Sequence, residues 1–199
     1  MDIKTNTLKR FIIYMAILTF VMFTVWGFVR SFMNRPAGDY ETEVCDIRLK
    51  DKKYKEALEA ANKALNKTPN HRGAMMCKAL VFISEKKYIE ADKVLTNLIF
   101  FLKKNLENDD RTGIGTLAAA YANRGIIKDR NKNYEGALKD YVKALGIDHE
   151  AVAGPGLGTI ILNYKFKSSS VKERALYLNE QLQLPEEERV LSIKELDEG

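Results

Sequence analysis

The side chains in this 199-residue chain best suited to metal binding or nucleophilic attack are two cysteines and two histidines. Cys45 and Cys77 lie 32 residues apart, and only His71 and His149 could complete a ligand set. A zinc site needs about four ligands, normally in short-spaced pairs, and that pattern is absent. Buried free thiols are the expected state, since Cys packs well as a small apolar residue, and a disulfide is the alternative. Neither state assigns a compartment at this point. His149–Glu150 has no second histidine four positions on, so it is not a zinc-protease motif. The run GPGLG at Gly154–Gly158 is followed by Thr159–Ile160 instead of Lys-Ser/Thr, and no strand precedes it, so a helix–helix turn is expected. No catalytic residue, metal site or cofactor is expected, and the chemistry to look for is binding.

With no reaction centre to position, the elements themselves carry the information. Phe11–Val29, FIIYMAILTFVMFTVWGFV, is 19 residues without a charge. As a helix it reaches roughly 28 Å, close to the hydrocarbon thickness of a bilayer. Lys9, Arg10 and Arg30 bracket it, and Trp26 sits at an interfacial position, while Phe11, Ile12, Tyr14, Phe20 and Phe23 supply further anchoring contacts. A cleavable signal would have a shorter apolar core and a small-residue cleavage site, and RSFMNRPAG offers none. The expectation is a retained single transmembrane helix at 11–30, after a basic segment at 1–10 and before a linker at 31–37.

The net charge of +5 and the pI near 9.0 invite a nucleic-acid reading. Residues 1–35 alone carry +4, from Lys4, Lys9, Arg10, Arg30 and Arg35 against Asp2. The basicity of the remainder is small and spread out, so phosphate-backbone binding is not expected. Basic residues before the span outnumber those just after it by one, which tilts the body away from the cytoplasm.

Beyond the linker the chain repeats. KKYKEALEAANKAL at Lys52–Leu65 and KKYIEADKVLTNLI at Lys86–Ile99 begin alike, with Tyr54 and Tyr88, and Ala57 and Ala91, each 34 residues apart. A third copy, NYEGALKDYVKALGID at Asn133–Asp148, is offset from the second by 46 residues. The extra dozen falls around Asn105–Gly115, whose Asn, Asp and Gly residues predict a loop. Tyr134, Ala137, Leu138, Tyr141, Ala144 and Leu145 share one helix face, which predicts a buried stripe of mixed sizes where alanines admit a second helix.

The pattern resembles the tetratricopeptide repeat (TPR), a 34-residue pair of antiparallel helices, over about residues 38–150. The third copy carries Tyr121, Gly125, Tyr134, Ala137, Tyr141, Ala144 and Asp148 at motif positions. The second supplies Met75, Ala79, Tyr88, Ala91 and Leu95, with Leu98 where alanine is usual; the first supplies Cys45, Tyr54, Ala57, Ala61, Ala64 and Pro69. Lys128 stands where an aromatic is usual, and His149 replaces a proline. The resemblance implies an all-α fold: the transmembrane helix, then an α-solenoid of three TPR helix pairs at about 38–71, 72–105 and 118–151, with an insertion near 105–117. Residues 151–199 are read as capping helices and an acidic tail. TIILNYKF is expected as a packing helix, Ser170-x-x-Glu173 as a capping box, and Pro185 as the start of a short helix running to Leu191. Leu176, Leu178 and Leu182 are expected to cover the third repeat, and the end past Leu196 to fray.

The resemblance also implies that the first helix of each pair lines a concave binding surface. The corresponding positions are Asp39, Thr42, Glu43, Asp46, Leu49 and Lys50 in the first repeat. In the second they are Gly73, Met76, Cys77, Leu80, Ile83 and Ser84, and in the third Ala119, Ala122, Asn123, Ile126, Asp129 and Arg130. A clamp for a C-terminal carboxylate, used by some members of that family, is matched here by Asn123 alone. An apolar strip of Met76, Leu80, Ile83 and Ile126 predicts either a docked partner segment or a surface filled by the chain itself.

The expected function is a membrane-tethered scaffold for protein–protein interaction, an accessory subunit or assembly factor of a larger membrane complex. Its partners would be protein subunits and the lipid bilayer, with no nucleic acid and no small-molecule substrate. The expected location is a bacterial inner membrane with the body on the periplasmic side. The alternatives are a cytoplasm-facing adaptor that recruits soluble clients, and a purely architectural subunit.

Overall fold

The computed structural model describes residues 5–33, 35–149 and 171–192; these are helical with short connections and contain no strand. The chain divides into two compact units, Met1–Ala37 and Gly38–Gly199. The first is a single helix, α1 (Thr5–Met33). Its segment Asn6–Arg30 has mean hydropathy 2.2, none of it is buried, and it is long and apolar enough to cross a membrane. Phe11, Ile12, Tyr14, Phe20, Phe23 and Trp26 all stand exposed on it. Its two central hydroxyls are satisfied within the helix: Thr19 Oγ1 donates to the Met15 carbonyl and Thr24 Oγ1 to that of Val21, both at 2.8 Å. The Arg30 guanidinium lies 5.1 Å from the Trp26 ring centroid, a cation–π contact at the end of the apolar run.

The second unit stacks helices in pairs: α2 (Asp39–Lys50) with α3 (Tyr54–Lys67), α4 (Arg72–Ser84) with α5 (Tyr88–Asn105), and α6 (Arg111–Arg130) with α7 (Tyr134–Ile147). A further helix, α8 (Val171–Leu182), packs against α7. The stack follows from the sequence pattern. Ala57, Ala61, Ala64, Ala91, Ala137 and Ala144 are all completely buried, because only a methyl fits where backbones come this close. Gly125 shows the same closeness inside the third pair: a Cβ there would meet the Tyr141 ring at 2.6 Å. The alternation of rings and small residues therefore records helix proximity.

The turn inside each pair is built the same way three times. Lys52, Lys86 and Lys132 adopt left-handed backbone, with φ of 59°, 59° and 61°. At the first turn the Lys53 amide donates to the Arg48 carbonyl and the Lys52 amide to that of Leu49, and the other two repeat this arrangement. This closes a Schellman motif with lysine where glycine is usual.

The insertion corrects the sequence reading. Asn105–Gly115 is not a loop; only Leu106–Asp110 connects α5 to α6. The extra dozen residues go chiefly into helix, since α5 has 18 residues against 14 in α3 and α6 has 20 against 13 in α4. Gly113 and Gly115 are poor helix formers, yet the helix holds because Asp110 caps it, its Oδ1 accepting from the Gly113 amide at 2.8 Å. Arg72 of α4 pairs with the same carboxylate. The cap bond and that guanidinium together hold the Asp110 carboxyl below its usual range.

At the far end, Leu178 is fully buried against Tyr141, whereas Leu176 is 54% exposed and covers nothing. The short helix expected from Pro185 is a single 3-10 turn, Glu186–Glu188, and Leu191 lies beyond it. The capping-box residue Ser170, the GPGLG turn, the TIILNYKF segment and the end past Leu196 lie outside the described residues.

Candidate partner-binding groove

The first helices of the pairs are neighbours, α2 beside α4 and α4 beside α6, and together they form one face. On it lies a hollow of about 350 Å³ lined by Asp46 from α2, by Gly73, Met76 and Cys77 from α4, and by Thr112, Gly115, Thr116 and Ala119 from α6. The lining is small and mostly apolar, and no basic side chain reaches it. Five of the expected groove positions, Asp46, Gly73, Met76, Cys77 and Ala119, are thus brought to one site. Thr112, Gly115 and Thr116 were missed because they sit on the part of α6 that the sequence reading assigned to the insertion near 105–117. The Asp110 cap, three residues before a glycine, was the available signal.

The cysteines are not free. Cys45 and Cys77 form a disulfide between α2 and α4, with Cα atoms 6.4 Å apart. Each sits at a buried position on its own helix, facing the same gap, so the apolar character that suggested isolated thiols instead placed the two sulfurs together. His71 adds a second tie nearby. Its Nδ1 accepts from the Ala74 amide at 3.2 Å as the cap of α4, which leaves Nε2–H to donate to Asp39 Oδ1 at 2.8 Å. Asp39 is therefore already engaged within the fold.

Further along the face the expected residues separate. Leu80 is half-buried and belongs to none of the core clusters. Met76 and Ile83 are half-buried and lean on the main core. Ile126 packs on the cluster around Tyr141. Ala122 is only 6% exposed and is core, a correction to its assignment as a lining residue. Asn123 donates its amide N–H to the Ala119 carbonyl at 2.9 Å and approaches Met76 Sδ at 3.9 Å. Arg130 lies over Tyr88, 5.9 Å from its ring centroid, and donates to its hydroxyl at 3.3 Å.

Two buried charge networks explain the departures from the repeat pattern. Lys128, found in place of an aromatic, reaches Asp140 Oδ2 at 2.7 Å, and Arg124 grips the same carboxylate with two bonds of 2.7 and 2.8 Å. Burial alone would raise the Asp140 carboxyl, but the hydrogen bonds from Arg124 and Lys128 outweigh it and hold the group below its usual range. Asp129, expected to face a partner, instead receives two 2.7 Å bonds from Arg174 of α8 and one of 3.2 Å from the Tyr141 hydroxyl. Burial first, and Asp129 second, push the Tyr141 phenol far above its ordinary value. The role of Arg174 had no local signal in the sequence, because its partner lies 45 residues away.

No curated protein matches the chain significantly. Six solved chains do match. One is the Arabidopsis OM64 TPR domain, with 19% identity over 57% of this chain and 84% of that one, at a TM-score of 0.49. Residues 47–150, more than half of the chain, match the family described as Psidin, N-terminal TPR repeats region, and the chain belongs to that family of tetratricopeptide repeat proteins.

Proposed function

We propose that the chain is a membrane-tethered scaffold that grips a segment of a partner protein along the face made by α2, α4 and α6, as an accessory subunit or assembly factor of a membrane complex. The observation that carries this reading is the hollow beside Asp46, Met76 and Thr116, continued by the half-buried and unclustered Leu80. Met76 is suited to such a surface because its unbranched thioether adapts to varied partners. The mechanism is binding, and no bond is made or broken. A tether raises the effective concentration of the body near other membrane components, so modest affinity suffices.

The tether is α1, with Phe11, Ile12, Tyr14, Phe20, Phe23 and Trp26 in lipid and its two threonine hydroxyls satisfied internally, as a hydrocarbon environment demands. The body lies on the non-cytoplasmic side. Supporting that side is the Cys45–Cys77 disulfide, a bond that persists in oxidising compartments and is rare in reducing ones.

Solubilisation in mild detergent, followed by identification of co-purifying proteins, tests the scaffold reading. Leu80→Asp should lose those proteins while helicity by circular dichroism stays unchanged; retained partners would refute the groove. A compartment-sensitive reporter fused after Gly199 reads the side, and a cytoplasmic signal would favour the adaptor reading.

A further inference from the structure

Three groups in or beside the hollow offer acceptor oxygens: Asp46, Thr116 and Asn123. Asp46 makes no hydrogen bond or ion pair among the described residues; Lys50, one turn on, is the cation whose field it feels. Thr116 donates its hydroxyl hydrogen to the Thr112 carbonyl at 2.7 Å, which leaves the lone pairs of its oxygen for a donor. Asn123, just past Ala119, directs its amide hydrogens to Ala119 and Met76, so its carbonyl oxygen likewise remains an acceptor. No lining residue carries a positive charge. Asp46 is itself exposed, and the atoms packed around its carboxyl raise it above its ordinary range by desolvation, against the opposing field of Lys50.

A surface of this kind excludes acidic and carboxylate-terminated segments, which would set charge against charge. It suits a long side chain with an apolar stem and a donor head. Resting on the groove reading above, we propose that the hollow receives a lysine or arginine side chain of the partner segment, its stem along Met76 and its cation on Asp46, with Thr116 and Asn123 accepting further N–H groups. Specificity then comes from charge and acceptor placement, while the apolar strip beyond contributes area.

The test uses the full chain in lipid nanodiscs with fluorescein-labelled hexalysine amide and hexaglutamate amide, read by anisotropy at physiological salt. Hexalysine should bind and hexaglutamate should not. Asp46→Asn should weaken hexalysine binding by about fivefold, the scale of one partly desolvated ion pair. Thr116→Lys, which places a cation in the hollow, should abolish it, whereas Glu180→Gln, at an exposed position of α8 that lines no part of the hollow, should leave it unchanged. Equal loss with Asp46→Asn and Glu180→Gln would mean attraction to surface charge in general and would overturn the proposal. If Leu80→Asp releases the partner proteins but hexalysine ignores Asp46→Asn, the cation proposal falls and the groove stands. If Leu80→Asp retains them, both fall.

Discussion

The two ends of the repeat stack solve one problem with different chemistry. The first repeat packs Cys45, Ala57, Ala60 and Ala61 with Cys77 and Val81, a cluster of small side chains that removes little apolar area per residue from water. It is closed by a covalent bond between α2 and α4. The third repeat packs Tyr141 and Leu178, and is closed by buried charges, Arg124 and Lys128 on Asp140 and Arg174 on Asp129. In a stack where each repeat touches only its neighbours, a weak end unravels unless something local holds it. A thin apolar core is offset by a cross-link at one end and by ion pairs and a capping helix at the other.

Breaking the cross-link should have the largest effect. Cys45→Ser, or reduction, opens a bond between residues 32 apart and should cost roughly 3–4 kcal/mol by loop-closure entropy. Hydrogen exchange should rise in α2 and α3 while α7 stays protected; uniform loss would show that the stack melts as one unit. Asp140→Ala should cost about 2–3 kcal/mol and open the other end. That is less than for a fully buried pair, because the Arg124 and Lys128 side chains keep 15% and 26% exposure. Calorimetry of the variant checks this.

Acid separates the two ends without mutation. The Asp140 carboxyl is held below its ordinary 3.8, so its contribution is complete above that value and is lost as pH falls through the lower folded value. The disulfide does not titrate. Exchange measured at descending pH should therefore loosen α6 and α7 before α2 and α4, and the reverse order would contradict the contrast. The smallest effect is expected at the shared turns. Lys132→Gly relieves left-handed strain in the third pair and should raise stability by about 0.5 kcal/mol after the entropic cost of glycine, read as a small increase in melting temperature.

Much of this was legible in residue order. Tyr88 and Tyr134, Ala91 and Ala137 announce the pairs because helix faces depend on spacing alone. The insertion was misread because Gly113 and Gly115 lower helix propensity, and their rescue by Asp110 and Arg72 depends on a contact between α4 and α6. The groove was partly legible: Asp46, Gly73, Met76, Cys77 and Ala119 converge, but Ala122 turned inward and Thr116 was hidden in the supposed insertion.

Periodicity, alanine placement and the apolar N-terminal run determined by themselves that the chain is helical, paired and repeated, since each is a property of neighbours along the backbone. Tertiary structure alone decided that the two thiols meet, why Lys128 replaces a ring, and that Asp129 holds α8. Those outcomes depend on groups 12 to 45 residues apart arriving within bonding distance, which spacing along one helix does not encode.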